Sequence, residues 1–116
     1  MLYNPKWEEE INVAPTWRTV LLRAAEIVRE RGLAKWQLED TDGRVCIHGA
    51  IRIAAYGHSA GAGIGPEEIE SCQALCKYLR QTDAKGIHGY GAAEWNNEPG
   101  RTADEVIAAL EGAARS

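Results

Sequence analysis

The amino-acid sequence predicts a mainly α-helical protein, a small single-domain bundle of about four helices. It leaves undecided whether the bundle also contains one short β-hairpin. Two observations predict this fold class. Apolar residues recur with a period near 3.6 over several stretches, and residues that commonly cap helices stand where these stretches begin. A chain of 116 residues has the length of one domain and can bury roughly two thirds of the surface that its unfolded form exposes. We therefore expect one helical domain over residues 16–116, preceded by an N-terminal arm over residues 1–15.

The N-terminal arm combines negative charge with apolar side chains. Glu8, Glu9 and Glu10 make it acidic, while Trp7 and its apolar neighbours are unusual in a free tail. We expect the arm to contact protein surface, and two arrangements fit the pattern. It is either a strap on its own domain or an arm exchanged with a second subunit, which would give self-association.

The first helix is predicted to begin after Thr16 and to end near Gly32. Thr16 suits the N-cap, whose side chain accepts a backbone N–H, and Gly32 suits the position just past a helix end. One face carries apolar residues at helical spacing: Trp17, Val20, Leu21, Ala24, Ile27 and Val28. Further along, Asp42 and Gly43 predict a tight turn. This turn either closes a short hairpin over residues 37–47 or stands alone.

The second helix is expected within the stretch RVCIHGAIRIAAYG, which is apolar on nearly all sides. A helix of this kind is covered by neighbouring elements on several faces. His48 and Arg52 lie one turn apart on its more polar side, and we expect both side chains at the surface.

Two further helices begin with clear start signals. The third opens at Pro66, with Glu67 and Glu68 in the first turn, where the helix dipole favours carboxylates. Its predicted core stripe is Ile69, Cys72, Leu75, Cys76 and Leu79. The fourth starts at Thr102, which is predicted to form a capping box with Glu105.

The composition narrows the class of function. The net charge of -4 and the sequence pI of about 5.4 argue against nucleic acid as a partner, because binding phosphates needs clustered Lys and Arg. No apolar run approaches the roughly 18 residues of a membrane-spanning helix, and the N-terminus lacks a signal-peptide pattern. The three cysteines are an odd number without a disulfide framework, which suits a reducing compartment. Cys72 and Cys76 are four residues apart and could both bind a metal, but their places in the core stripe favour packing instead. We therefore expect a cytoplasmic protein without a cofactor, a membrane or nucleic acid.

Ser59 is the sharpest catalytic candidate. Residues 57–61 fit the G-x-S-x-G nucleophile elbow of serine hydrolases, and Asp83 and His88 follow in the order that such enzymes use. An elbow needs a strand before the serine and a helix directly after it, but here more glycines and a proline follow. A Gly-rich connection between helices is the favoured interpretation.

The segment before the fourth helix supplies the main binding candidates. Helix capping does not explain Trp95, Asn96, Asn97 and Arg101, and these residues join Trp7 of the arm as predicted binding residues, with Trp36 as a further candidate. In a second interpretation, Trp95 fills the core and the asparagines bond to turn backbone. We predict a non-enzymatic accessory protein that binds another protein. The alternative is a small-ligand binder or hydrolase that uses the Gly-rich loops 57–65 and 86–91.

Three motifs resemble a family of short uncharacterised proteins from high-GC Gram-positive bacteria and their phages. They are LLRAAEIVRERG, DGRVCIHGAIRIAA and WNNEPGRTADEVIAAL, in that order, and the resemblance covers most of residues 20–114. The family patterns are D-G-R-x-C-x-x-G-A and W-N-[DN]-x-P-G-R-T-x-x-E-V, and Asn97 stands here where aspartate is usual. The resemblance implies a small intracellular protein of bacterial or phage origin and fits a phage product that modulates a host protein. It implies no particular chemistry.

Overall fold

The structure is a computed structural model, and it describes residues 16–60, 65–82 and 91–116. These residues contain five helices: α1 (Trp17–Arg31), α2 (Ile47–Tyr56), α3 (Pro66–Thr82), α4 (Ala92–Asn96) and α5 (Ala103–Arg115). The predicted mainly α-helical bundle is confirmed. The prediction omitted α4, because its five residues are too few to show helical periodicity. The predicted arm lies outside the described residues.

Helix α1 lies at the centre of the bundle. It packs against α2, α3 and α5, and its contact with α5 is the most extensive. Four residues of the predicted face of α1 are buried, Val20, Leu21, Ala24 and Val28, and Ala25 is buried with them. Trp17 and Ile27, also predicted for this face, are partly buried. They share one core with apolar residues of the neighbouring helices, including Ile47, Ile51, Leu75, Val106 and Leu110. No helix in the described part of the chain has both the length and the hydropathy needed to cross a membrane.

The predicted helix starts are confirmed. Thr16 Oγ1 accepts a hydrogen bond from the Thr19 amide at 3.3 Å at the start of α1. At α5, Thr102 Oγ1 accepts from the Glu105 amide at 3.2 Å, and Glu105 Oε1 accepts from the Thr102 amide at 3.0 Å. The hydrogen bonds of this capping box lower the pKa of the Glu105 carboxyl below its ordinary value, and the bond from the Thr102 amide contributes most.

The connection between α1 and α2 contains the stretch for which the sequence allowed either a hairpin or a bare turn. The Asp40 carboxylate accepts hydrogen bonds from the Asp42 and Arg44 amides, which closes a turn. Glu39 and Val45 form an isolated antiparallel bridge, and the described residues contain no longer strand. The structure therefore favours the bare turn.

This connection lies directly on α2 because α2 carries a glycine at the contact. A Cβ atom at Gly49 would stand 2.0 Å from the Leu38 carbonyl oxygen, closer than any real contact allows. The Cys46 amide also donates to that oxygen at 3.2 Å. Gly49 therefore permits the backbone approach that fixes the position of residues 36–38.

Two predictions of exposure are wrong. Ile69, assigned to the core stripe of α3, is 45% exposed, whereas Glu68 and Ser71 are buried. Arg52, assigned to the surface, is also buried. Both errors have the same cause, a polar contact between two helices. Glu68 faces α2, where it pairs with Arg52 and His48. The first turn of α3 therefore directs Glu68 inward and Ile69 towards solvent.

Candidate functional site

Trp36 stands out among the described residues because its side chain is 82% exposed. Its backbone has φ 69°, and it is the one described residue other than glycine with a positive φ. A bulky residue in this region of backbone conformation costs about 1–3 kcal/mol and persists only where its surroundings enforce it. The surroundings of Trp36 must therefore hold both the strained backbone and the exposed indole.

The two asparagines after Trp95 supply that restraint. The Trp36 amide donates to Asn97 Oδ1 at 2.8 Å. The preceding asparagine bonds to the preceding peptide group: Asn96 Nδ2 donates to the Ala34 carbonyl at 3.0 Å. Side chains at the end of α4 thus bind successive peptide groups of the segment that carries Trp36.

A lysine adds a third contact between the same segments. Lys35 Nζ donates to the Glu98 carbonyl at 2.7 Å. Residues 34–36 are therefore tied to residues 96–98 by bonds to the backbone or side chain at every position. Such repeated contacts restrict the backbone of the segment that carries Trp36.

Asn96 also connects the segment that carries Trp36 to α2. Its side chain is fully buried, and its Oδ1 accepts a hydrogen bond from the Ile47 amide at 2.9 Å. Ile47 is the first residue of α2, so the carboxamide satisfies one of the amides that have no partner inside the helix. Nδ2 also lies 3.2 Å from Asn97 Oδ1, and the carboxamide is satisfied on both sides.

A cavity of about 190 Å³ opens beside Trp36. It is lined by Trp36, Gln37, Leu38, Cys46, His48, Ala93 and Asn97. Cavities for small-molecule ligands usually measure about 300–1,000 Å³, whereas about 150 Å³ is enough for one benzene ring. The size therefore suits a single apolar side chain better than a cofactor or a metabolite.

His48 forms the polar wall of this cavity, and a buried carboxylate orients its ring. His48 Nε2 lies 2.5 Å from Glu68 Oε2, and Glu68 is 1% exposed. The Arg52 guanidinium lies 3.5 Å from the same oxygen. The Arg52 guanidinium thus faces the buried Glu68 carboxylate and His48 shares a hydrogen bond with it, while Glu68 Oε1 has no hydrogen-bond partner among the described residues.

Trp95 and Arg101 form a separate, structural contact. Trp95 is 6% exposed, and the Arg101 guanidinium lies 3.9 Å from the centroid of its ring. Arg101 Nε donates to the Trp95 carbonyl at 3.0 Å, and Arg101 also pairs with Glu105 at 3.2 Å. A cation over an indole face is favourable, so Arg101 fixes α4 against the start of α5.

Cys46 and Cys72 are not activated nucleophiles. Burial raises the pKa of the Cys46 thiol, whose Sγ accepts a hydrogen bond from the Gly49 amide at 3.3 Å. Burial, and after it the nearby Glu68 and Cys76, raises the pKa of the Cys72 thiol to about 12. Both groups are therefore thiols rather than thiolates at neutral pH. All three cysteines of the chain are free of disulfides.

Ser59 does not stand in a nucleophile elbow. The stretch that an elbow would need as a strand is α2, which ends at Gly57 in a left-handed conformation. Ser59 is buried, and its Oγ donates to Glu39 Oε1 at 2.9 Å. Asp83 and His88 lie outside the described residues, as does most of the loop 86–91.

The comparisons with known proteins give one result. The model of a family of unknown function (DUF6197) matches residues 13–116. The chain belongs to the DUF6197 family. The match includes every described helix and leaves residues 1–12, which contain the three glutamates of the arm, outside it. No curated protein and no solved structure gave a significant match.

The residues predicted for binding have different places in this DUF6197 protein. Asn97 lines the cavity beside Trp36, whereas Asn96 and Trp95 are buried. Asn96 binds the backbone of the segment that carries Trp36. Trp7 lies outside the described residues. Direct contact of a partner with Trp95, Asn96 or Arg101 remains a prediction.

Sequence reasoning undervalued Trp36 and missed the pair of His48 and Glu68. The exposure of Trp36 depends on contacts with residues 61 positions later in the chain. A weak signal was present, because the indole stands in a polar stretch without helical periodicity. The helix dipole already explained a carboxylate at Glu68, in the first turn of α3, so the sequence offered no reason to place this residue against α2.

Proposed function

We propose that this DUF6197 protein acts without enzymatic activity, by binding another protein through Trp36 and the adjacent cavity. We call this region the Trp36 surface, and it comprises Trp36, Gln37, Leu38, His48 and Asn97 around the cavity. The observation that carries the proposal is the 82% exposure of an indole whose backbone is held in a strained conformation. Strain of this kind is concentrated at functional positions.

The chemistry of the Trp36 surface suits a protein partner. Tryptophan is enriched among the few interface residues that dominate binding energy, because a rigid indole buries a large area at a small entropic cost. Leu38 is also 38% exposed and extends the apolar area next to the indole. A partner would cover both side chains and insert one apolar residue into the cavity.

Polar groups around the cavity would give the contact its specificity. His48 and Gln37 lie in the cavity wall with Asn97, and Glu68 fixes the orientation of the His48 ring. A partner that buries these groups must supply hydrogen bonds to them, because unpaired buried polar groups cost about 1–3 kcal/mol each. The surface would therefore select partners with a polar group beside the inserted apolar side chain.

We further propose that the setting is the cytoplasm of a high-GC Gram-positive bacterium and that the partner is a host protein bound by a phage product. The motifs in residues 20–114 support this origin by resemblance. The three free thiols support a reducing compartment. The acidic net charge of -4 agrees with a protein rather than a nucleic-acid partner.

The proposal is tested by photo-crosslinking from the surface itself. A photoreactive amino acid replaces Gln37, which is exposed and adjacent to the indole, and the protein is irradiated in a lysate of a high-GC Gram-positive bacterium. The captured protein is then purified and its Kd is measured against the wild type and two variants. The test variant is Trp36→Ala, and the control is Leu22→Ala, which removes an apolar side chain of 40% exposure on α1.

We expect Trp36→Ala to weaken binding by about thirtyfold or more, which corresponds to the roughly 2 kcal/mol that defines a dominant interface residue. Leu22→Ala is expected to leave Kd unchanged. Equal affinities of the wild type and Trp36→Ala, with both variants folded, would exclude the Trp36 surface as the binding site.

A further inference from the structure

A second groove lies between the start of α1 and the outer face of α3. It measures about 340 Å³, and its lining includes Trp17, Arg18, Lys77, Tyr78 and Gln81. None of these residues belongs to the Trp36 surface. The groove therefore needs an explanation of its own.

The groove combines positive charge with aromatic walls. Arg18 and Lys77 are both exposed, and the Arg18 guanidinium lies 4.3 Å from the centroid of the Trp17 ring. The lining contains no Asp or Glu among the described residues, but Ser116 also lines the groove, and its backbone oxygen accepts a hydrogen bond from Arg18 Nη2 at 3.5 Å. Such a lining suits a segment that carries carboxylates next to an aromatic side chain.

The adjacent helix terminus adds to the positive charge. Helix α1 has no acidic residue in its first turn, whereas α3 and α5 begin with Glu67 and Glu68 and with Asp104 and Glu105, respectively. The positive end of a helix dipole favours nearby carboxylates. At α1, whose N-cap is Thr16, no carboxylate of the first turn occupies this position.

The chain itself carries a segment of matching chemistry immediately before α1. Trp7 is followed by Glu8, Glu9 and Glu10, and Glu10 is six residues before Thr16. Six extended residues span about 20 Å, so the carboxylates can reach Lys77 across the groove. A short tether also keeps the segment at an effective concentration on the order of millimolar.

We propose that residues 7–10 dock in this groove of their own chain, with the three glutamates at Arg18 and Lys77 and Trp7 against Trp17 and Tyr78. Exposed ion pairs contribute little by themselves, so the indole supplies most of the attraction and the charges set the register. The segment lies before the family match at residue 13. The docked strap is therefore a feature added to the DUF6197 domain.

The first test uses limited proteolysis of the full chain with chymotrypsin, which cuts after Trp7 only when that residue is accessible. Lys77→Glu places negative charge in the groove and is expected to raise the cleavage rate at Trp7 at least fivefold. Arg80→Glu is the matched control, because Arg80 is an exposed cation on the same helix outside the groove lining. Its cleavage rate is expected to equal that of the wild type.

A triple variant, Glu8→Gln, Glu9→Gln and Glu10→Gln, is expected to show the same increase in cleavage. When it is combined with Lys77→Glu, we expect no further increase, because both changes break one contact. Equal cleavage rates in the wild type, Lys77→Glu and Arg80→Glu would overturn the docking. Because the readout is cleavage at Trp7, it is independent of whether the Trp36 surface binds a partner.

A carbodiimide cross-link between the Lys77 amine and a glutamate of residues 8–10 gives a direct second measurement. We expect this cross-link within single chains, with a severalfold lower yield in about 1 M salt, where the screening length falls to about 3 Å. A mixture of isotope-labelled and unlabelled protein distinguishes contacts within a chain from contacts between chains. A cross-link found only between chains would overturn docking on the same chain and indicate an exchanged arm.

Discussion

The Asn97 side chain accepts a hydrogen bond from the backbone amide of Trp36 at 2.8 Å, although the two residues are 61 positions apart in the sequence. Through this bond, a residue next to the core determines where an exposed indole stands. Trp36 has a positive φ and lies in a segment without regular secondary structure, and this bond joins those of Ala34 and Lys35 in holding the segment. The strength of this bond can be measured separately from that of the other two.

Replacing Asn97 with alanine is expected to loosen the Trp36 segment. A lost hydrogen bond of about 1 kcal/mol corresponds to roughly fivefold faster hydrogen exchange at the Trp36 amide. Asn97→Asp is the control, because a carboxylate still accepts the bond. NMR-detected exchange on both variants measures the effect. Unchanged protection in Asn97→Ala would show that other contacts hold the segment.

Replacing Asn96 with alanine is expected to cost more stability. The change removes a fully buried carboxamide and leaves the Ile47 amide and the Ala34 carbonyl without their partner. Two unsatisfied buried groups, at about 1–3 kcal/mol each, lower the free energy of unfolding by about 2–6 kcal/mol. Urea unfolding of Asn96→Ala and Asn97→Ala measures the difference. Equal losses in the two variants would contradict the central role given to Asn96.

Gly49→Ala is expected to destabilise the protein even though alanine favours helices. The new Cβ meets the Leu38 carbonyl at 2.0 Å, and backbone there cannot move without breaking its bond to the Cys46 amide. Overpacking of this kind costs about 1–3 kcal/mol. Gly112→Ala is the comparison, because its Cβ would meet the Tyr78 side chain, 2.2 Å from the hydroxyl oxygen and 2.4 Å from Cζ, so that a side chain rather than backbone has to move. Thermal unfolding should show the larger loss at Gly49.

Glu68→Gln is expected to destabilise the contact between α2 and α3. The change removes the carboxylate that compensates Arg52, whose side chain is 10% exposed. Breaking one side of a buried ion pair typically costs about 3–5 kcal/mol. Glu70→Gln, at an exposed position of the same helix, is the control. If urea unfolding gives the same stability for both variants, the buried pair makes no net contribution.

The raised pKa of Cys72 predicts a loss of stability at alkaline pH. Its thiol has a pKa of about 12 in the folded chain, against an ordinary value of 9.0, because burial disfavours the thiolate. Above pH 9 the unfolded chain releases this proton while the folded chain retains it, so stability falls from pH 9 towards pH 12. Stability measured against pH should fall less steeply in Cys72→Ala. Identical slopes would contradict the assigned pKa.

Sequence reasoning located the helices but not all of their orientations. Helix periodicity placed α1 and its buried face correctly, since one face of α1 meets three neighbours. At α3, the same method assigned Ile69 to the core, although this residue is 45% exposed. An apolar stripe cannot show that a buried ion pair with α2 decides which way the first turn faces.

Local signals in the sequence predicted where α1, α3 and α5 begin, because capping involves residues within one turn. Thr16 and Thr102 each bond to an amide three residues away, and Glu105 returns the bond within the same turn. The tertiary structure alone decided the candidate site. Asn96 meets Ile47 across 49 residues, and His48 meets Glu68 across 20. Such pairings depend on how the helices pack, and no local pattern of residue types encodes that geometry.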